Sequence, residues 1–456
     1  MPKVVIISPP FYSHAQPLLA LGEALQAAGW DTIVACSPSF EAEITGRGLR
    51  FVELAISSNA NIGAAGRTRQ PRDEQERLEA FLDATRKGAV ETLLLQARHR
   101  KADMLFDPGF LRERIAQLDD RENPELWVVD QLSYGVTLAL HSLGVRYVTY
   151  NPGHPRYVPN DDELFGMPWR WPVAFTPDPE LLAELRRVCR EVEELFTGEF
   201  NRFLETAVPE LPPVKNAFRL ASPEAILLNY PELPTLPQPV EPPRRIFLGY
   251  CFKPREPDAE TRRLLGTPRR SFPTRTTVTV PTVTVPTVTV PTVRILIVMG
   301  TFLAARTDVL ERCIRAARAE FPAARIIAAA GAHKQALARL AREQVLIEEF
   351  VPQTALLPYV DLVVHHGGNN SFTECLYFGR PMLILPFSSD QFNIAFDAEQ
   401  AGLAEVADPN AFTEAEMRRK LRSALEGTTA AVERWQRWVR ARGPAWAVRE
   451  LGRRLG

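Results

Sequence analysis

The sequence predicts an α/β protein of two halves, each built on a parallel sheet, facing one another across an interdomain cleft. Three observations carry this. Short β-branched runs alternate with helical stripes in both halves, the pattern of βαβ units. Prolines divide the chain unevenly: of 39, residues 1–150 hold 8, residues 151–300 hold 24 and residues 301–456 hold 7. Two regular flanks therefore surround an irregular middle. Polar residues suited to chemistry also gather just after the predicted strands of both halves, the edge where parallel sheets bind ligands. A length of 456 residues exceeds one ordinary core and suits two or three domains.

The elements follow in order. Lys3–Ser8 reads as a buried strand ended by Pro9-Pro10. Pro17–Ala28 reads as a helix, with Pro17 in its first turn, a Leu18/Leu21/Leu25 stripe and Gly29 beyond its end. Asp31–Cys36 is the next strand, completing a βαβ unit. Residues 72–118 are charged and helical in pattern. Leu126–Asp130 and Arg146–Tyr150 are strands around a Tyr134–Gly144 helix, and residues 151–180 form an aromatic, proline-rich loop. Further strands are expected at Arg294–Met299, Arg325–Ala329, Val345–Phe350, Asp361–His365 and Pro381–Phe387. Between the halves, Val-Thr-Val-Pro-Thr occurs three times from 278 to 292. Its prolines remove a ladder donor every five residues, which favours an extended tether over a central strand.

Composition excludes several classes. A net charge of -1 argues against nucleic-acid binding driven by overall basicity. The five cysteines form no CxxC pair, so neither a zinc ribbon nor a disulfide framework is supported, and a reducing cytoplasm is the expected location. No segment reaches the ~18 apolar residues of a membrane helix, and Val4–Ile7 is too short an apolar run for a signal peptide. The acidic run Asp161-Asp162-Glu163 reads as solvated charge, so no metal is expected. The first βα turn lacks GxGxxG and no P-loop occurs, which weakens dinucleotide and nucleotidase readings.

The residues after each strand narrow the chemistry. Ser13-His14 follow the first and Asp130 ends the Leu126 strand. A neutral histidine can take a proton from a hydroxyl near neutral pH, and a carboxylate on its far nitrogen fixes the tautomer. After Asp361–His365, Gly367-Gly368 permit close backbone approach. A helix beginning near Ser371 would aim free N–H groups at an anion, joined by His366, Asn370 and Ser371. A capping box, Ser371 with Glu374, accounts for the same local sequence without a ligand.

The stretch Phe350–Gln391 resembles the nucleotide-sugar signature of the UDP-glycosyltransferase-like family, the inverting GT-B enzymes (glycosyltransferase family 1). It carries F-V-P-Q at 350–353, H-G-G-N-N-S-F-T-E at 366–374, G-R-P at 379–381 and D-Q at 390–391, and is most similar to bacterial natural-product transferases. S-H-A-Q-P at 13–17 resembles the family's catalytic histidine loop. The resemblance implies a GT-B fold of two Rossmann-like domains: an acceptor domain at 1–251, a linker at 252–293, a donor domain at 294–440 and a C-terminal helix at 441–456 returning to the first domain. It implies His14 as general base with Asp130 orienting it. Phe350 would stack on the nucleobase, and Gln353 and Glu374 would bind ribose. His366, Gly368, Asn370, Ser371 and Thr301 would hold the diphosphate, and Asp390 and Gln391 the donor sugar. Phe11, Tyr12, His154, Trp169 and Trp171 are the acceptor-side candidates, their aromatic character suggesting a hydrophobic aglycone.

The implied substrates are a UDP- or TDP-sugar and a small acceptor hydroxyl, with no cofactor, no metal and no nucleic-acid partner. A GT-B nucleotide-sugar epimerase and a non-catalytic sugar-nucleotide-binding partner are the competing readings. Four features depart from the family pattern: Ser13 before the histidine, Met299, Arg380 between Gly379 and Pro381, and the repeat in the connection.

Overall fold

The computed structural model of the chain describes residues 1–56, 72–103, 105, 107–236, 244–266 and 293–455. The Val-Thr-Val-Pro repeat lies outside them. In the N-terminal half the strands are β1 Lys3–Ile7, β2 Asp31–Cys36, β3 Arg50–Glu53, β4 Leu126–Asp130, β5 Tyr147–Asn151, β6 Ala225–Leu228 and β7 Arg244–Phe247. They form a parallel sheet in the order β3-β2-β1-β4-β5-β6-β7. In the C-terminal half they are β8 Arg294–Val298, β9 Arg325–Ala329, β10 Val345–Glu348, β11 Leu362–His365, β12 Met382–Ile384 and β13 Ala404–Val406. These are parallel in the order β10-β9-β8-β11-β12-β13.

Helices cover both faces of each sheet, so its central strands are apolar throughout instead of alternating. Val4–Ile7 and Ile295–Ile297 are completely buried. In each sheet the strand order reverses once beside the first strand of that half, between β1 and β4 and between β8 and β11. Side chains at the carboxyl ends of these pairs are neighbours across a topological switch point. They include His14 and Asp130 in one half, and Gly300 and His366 in the other.

Several boundaries differ from the sequence reading. The first helix runs from Tyr12 to Ala27, so Pro17 lies inside it and His14 in its first turn. Proline has no N–H, so the Ser13 carbonyl lacks the bond that residue 17 would donate. The 72–118 region is three helices, Arg72–Lys87, Ala89–Asp103 and Pro108–Glu122, interrupted at Gly88 and before Pro108. After the proline-rich loop comes a 29-residue helix, Pro179–Ala207, started by Asp178, whose carboxylate accepts from the N–H groups of Glu180 and Leu181. Its buried stripe, Leu185, Val188, Val192, Phe196 and Phe200, packs on the Ala89–Asp103 helix.

The halves are tied together at several points. The final helix, Pro444–Leu455, packs on the Tyr12–Ala27 helix and buries Ala447, Val448 and Leu451 with the N-terminal sheet. In the described part of 252–293, the Ala259–Leu265 helix joins the C-terminal half, where Arg325 Nε donates to the Leu264 carbonyl at 2.6 Å. The buried Arg306 guanidinium grips Asp308 with two bonds (2.9 and 2.7 Å) and donates to the Thr85 carbonyl of the N-terminal half at 2.8 Å. Asn410 Nδ2 donates to the same carbonyl at 2.9 Å. A buried guanidinium needs such a full set of acceptors to offset its desolvation.

Candidate active site

At the N-terminal switch point, His14 Nδ1 lies 2.9 Å from Asp130 Oδ2. Asp130 is fully buried at the end of β4, and its other oxygen accepts from the Leu132 N–H at 2.9 Å. That second bond fixes the carboxylate plane. The His14 side chain keeps 20% of its surface exposed, enough for Nε2 to meet a ligand. Burial alone would push the imidazole below its ordinary 6.5. The charge and hydrogen bond of Asp130, with the charge of Asp390, outweigh burial and leave it raised. The Phe11 ring stands 5.9 Å from the imidazole and Tyr12 opens the helix.

At the C-terminal switch point, the helix expected near Ser371 begins two residues earlier and runs Asn369–Phe378 with Gly368 as its N-cap. Gly367 has φ +86, and a Cβ there would meet Ile384 at 2.9 Å, so only glycine fits this turn. The capping box is therefore not formed: Ser371 lies inside the first turn. Its hydroxyl and the Glu374 carboxylate instead converge on Gln353 Nε2, at 3.2 and 2.6 Å. Glu374 keeps some contact with solvent, but crowding by protein pushes its carboxyl up to about 7, against the pull of Gln353. The first-turn N–H groups of this helix have no intrahelical partners.

His366 is clamped between two glycines. A Cβ on Gly300 would come within 2.8 Å of its ring and one on Gly368 within 2.4 Å. Burial pushes its imidazole down to about 4, so the ring is neutral at physiological pH. Its Nδ1 is buried with no hydrogen-bond partner among the described residues. Thr301 is exposed in the short turn after β8. Phe350 is 63% exposed at the end of β10, unusual for a phenylalanine beside a sheet.

The two sites meet through Asn370. Its Nδ2 donates at 2.9 Å to the Ser13 carbonyl, the acceptor left free by Pro17, one residue from His14. Asn229 Nδ2 in turn approaches Asn370 Oδ1 at 3.3 Å. Asn369 Nδ2 donates to the carbonyls of Pro152 and Asn229, at 2.9 and 2.7 Å.

Other candidates lie elsewhere. The Gln391 side chain is buried and braces its own loop: Oε1 accepts from the Phe387 and Ser388 N–H groups and Nε2 donates to Ser388 Oγ. His154 is buried with its ring on Asp397 (2.9 Å), and its backbone N–H donates to Asp390 Oδ2 at 2.9 Å. Trp171 packs 4.9 Å from Phe392, while Trp169 is partly exposed under the Arg156 guanidinium. The 151–180 segment is thus a strap across the Gln391–Gln400 helix of the other half. The Trp169 and Val173 N–H groups add bonds to Asn393 (2.8 Å) and Glu399 (2.9 Å). Sequence reading missed Asn229 and Asp397, which carry no local motif, and Asn369, which lies within the 366–374 motif but was given no role. Arg380 is half-buried, and its guanidinium donates to the Phe378 and Val360 carbonyls, at 2.8 Å each. Of the acidic run, Asp161 pairs with Arg219 and Glu163 with Arg156.

Comparison with known proteins places this geometry. Residues 294–430 match the family described as UDP-glucoronosyl and UDP-glucosyl transferase. The uncharacterized UDP-glucosyltransferase YojK of Bacillus subtilis (strain 168) is 26% identical over 138 residues, 30% of this chain and 34% of that protein. The alignment thus spans about a third of that relative. Among solved structures, the glycotransferase of kitacinnamycin superposes with a TM-score of 0.65 at 20% identity, over 99% of this chain and 98% of that one. The glycosyltransferase VinC in complex with dTDP gives 0.62 at 20% identity, with coverage of 99% and 98%. At such identities the structural likeness is one of fold, and it extends over both halves. The chain therefore has the GT-B fold, and its C-terminal half, from β8 to the helix after β13, is similar to the UDP-glucoronosyl and UDP-glucosyl transferase family.

Proposed function

We propose that the chain transfers a sugar from a uridine or thymidine diphosphate sugar to a hydroxyl of a small, apolar acceptor, with inversion and without a metal. One observation carries this reading: the donor loop of one half touches the catalytic turn of the other, Asn370 Nδ2 lying 2.9 Å from the Ser13 carbonyl beside His14. A base and a nucleotide-sugar loop held this close can act on one bond.

In this mechanism Nδ1 of His14 stays on Asp130 and Nε2 takes the acceptor proton as the oxygen attacks the anomeric carbon. Asp130 stabilises the imidazolium that forms. The departing diphosphate gains charge, and the N–H groups opening the Asn369–Phe378 helix supply dipoles to it, with His366 and Thr301 beside them. Phe350 offers an exposed ring to the nucleobase, and the Gln353–Glu374 pair offers polar atoms to the ribose. Attack in line on an α-linked donor gives a β-glycoside. The dTDP bound to VinC supports thymidine as well as uridine donors. The aromatic residues near His14, and kitacinnamycin in the name of a structural relative, support a natural-product aglycone.

The test is incubation with UDP- and dTDP-sugars and a panel of phenols and macrolides, read by mass spectrometry and by the anomeric coupling constant of the product. A β-glycoside formed by wild type and lost in His14→Ala supports the reading. Epimer or free nucleotide formed equally well without acceptor sinks it in favour of an epimerase.

A further inference from the structure

Asp390 meets the N-terminal half through a contact that its sequence motif does not suggest. Its Oδ2 accepts the backbone N–H of His154 at 2.9 Å, a residue 236 positions away. The backbone approaches so closely because residue 153 is glycine: a Cβ there would lie 2.5 Å from Asp390 Oδ2 and 2.2 Å from the Tyr157 ring. Tyr157 reaches the neighbouring Ser389 hydroxyl at 2.9 Å, and Ser389 holds a left-handed φ of +55. Such a conformation is strained in a non-glycine residue, and contacts on either side must hold it in place.

The His154 side chain explains what holds the amide there. The Arg156 N–H donates to Nδ1 at 3.2 Å, so Nδ1 carries the lone pair and Nε2 carries the proton. Nε2 donates to Asp397 Oδ2 at 2.9 Å, with side-chain exposures of 1% and 5%. The same oxygen accepts from the Tyr230 hydroxyl at 3.2 Å, and the Tyr230 ring stands edge-on to the imidazole at 5.0 Å. Asp397 lies two turns along the helix that follows Asp390. His154 thus grips one helix at two points, with its ring on Asp397 and its amide on Asp390.

We infer that His154 is a positioning residue for the donor sugar: anchored on Asp397, it sets the Asp390 carboxylate from the opposite half of the molecule. This rests on the assignment of Asp390 to the donor sugar. The nucleotide contacts at Phe350, Gln353 and Glu374 are separate, so the predicted defect is specific to the sugar.

Calorimetric titration of the full chain tests this with UDP, dTDP and their glucose, rhamnose and other hexose conjugates. The measure is the preference for the best conjugate over its bare nucleotide. In His154→Ala and in Asp397→Asn, bare-nucleotide affinity stays within about twofold, while the preference falls roughly tenfold, as for one lost bond to a charged group. His154→Gln, whose amide donor reaches about where Nε2 sits, restores it. Adding His154→Ala to Asp390→Asn causes no further loss. Bare nucleotide and conjugate weakening together would reduce His154 to a general domain tie and overturn the inference. An unchanged preference in both single variants would overturn it as well. A wild type that binds nucleotides with no preference for any conjugate removes Asp390 from the sugar site and the inference with it. A wild type that binds neither nucleotide overturns the transferase reading itself.

Discussion

His14 and Asp130, 116 residues apart in sequence, face each other at 2.9 Å because β1 and β4 are neighbours where the N-terminal strand order reverses. In the proposed mechanism this histidine must be neutral to act. Its raised pKa moves the acidic limb of kcat/KM above the ordinary histidine value of 6.5. Activity therefore rises with pH through that limb. Asp130→Asn removes the two largest raising influences and leaves burial opposed only by the charge of Asp390, so its limb shifts to lower pH even as the maximum rate falls. His14→Ala lowers kcat by about 10²–10⁴. A pH–rate profile of the three proteins checks both statements; an unmoved limb in Asp130→Asn contradicts the pairing.

Phe350 contributes almost nothing to the fold at 63% exposure. Phe350→Ala is expected to leave the melting temperature nearly unchanged while weakening nucleotide binding by about 1–3 kcal/mol, the range for base–aromatic stacking. Calorimetry beside a thermal melt separates the two.

Glu374 stores a pH-dependent strain. Between its ordinary 4.5 and about 7, the folded chain keeps a proton that the unfolded chain has released. The carboxyl's contribution to stability therefore falls as pH rises through that window. Glu374→Gln abolishes the titration while retaining an acceptor for Gln353. Its melting temperature should gain on wild type by a few degrees between about pH 5 and about pH 8, at about 1 °C per kcal/mol for a chain of this length. A difference that stays constant with pH contradicts this.

Asn370 links the halves at a solvent-touched bond to Ser13, so its loss is cheap in stability. Asn370→Ala is expected to change the melt by less than about 1 kcal/mol, within the range of a single exposed bond, while transfer slows several-fold. Stopped assays with saturating donor and acceptor measure the second effect; an unchanged kcat contradicts it.

Much of this was legible in advance, for local reasons. Val4–Ile7 and Leu126–Val129 are unbroken buried runs closed by prolines or an aspartate, so their ends could be located and the residues after them found. Arg50–Glu53 and Arg244–Phe247 are four-residue strands that open on arginine, and Ala404–Val406 has three residues, too few to show a period. The first helix was read as starting at Pro17 because proline favours first turns, but buried Ala15 and the Phe11 carbonyl had already begun it. What His154, Asn369 and Gln391 touch was not legible, since their partners depend on how the chain folds locally or on how the halves dock.

Pro17 has a final consequence. A carbonyl with no helical partner behaves as an open connector, and this one emerges a single residue from the His14 imidazole. Any other residue at 17 would offer the Ser13 oxygen a partner within its own helix, leaving Asn370 to compete for it. Pro17→Ala is thus a change that improves a helix and loosens a junction: the two halves would be joined less tightly because one of them had become better made.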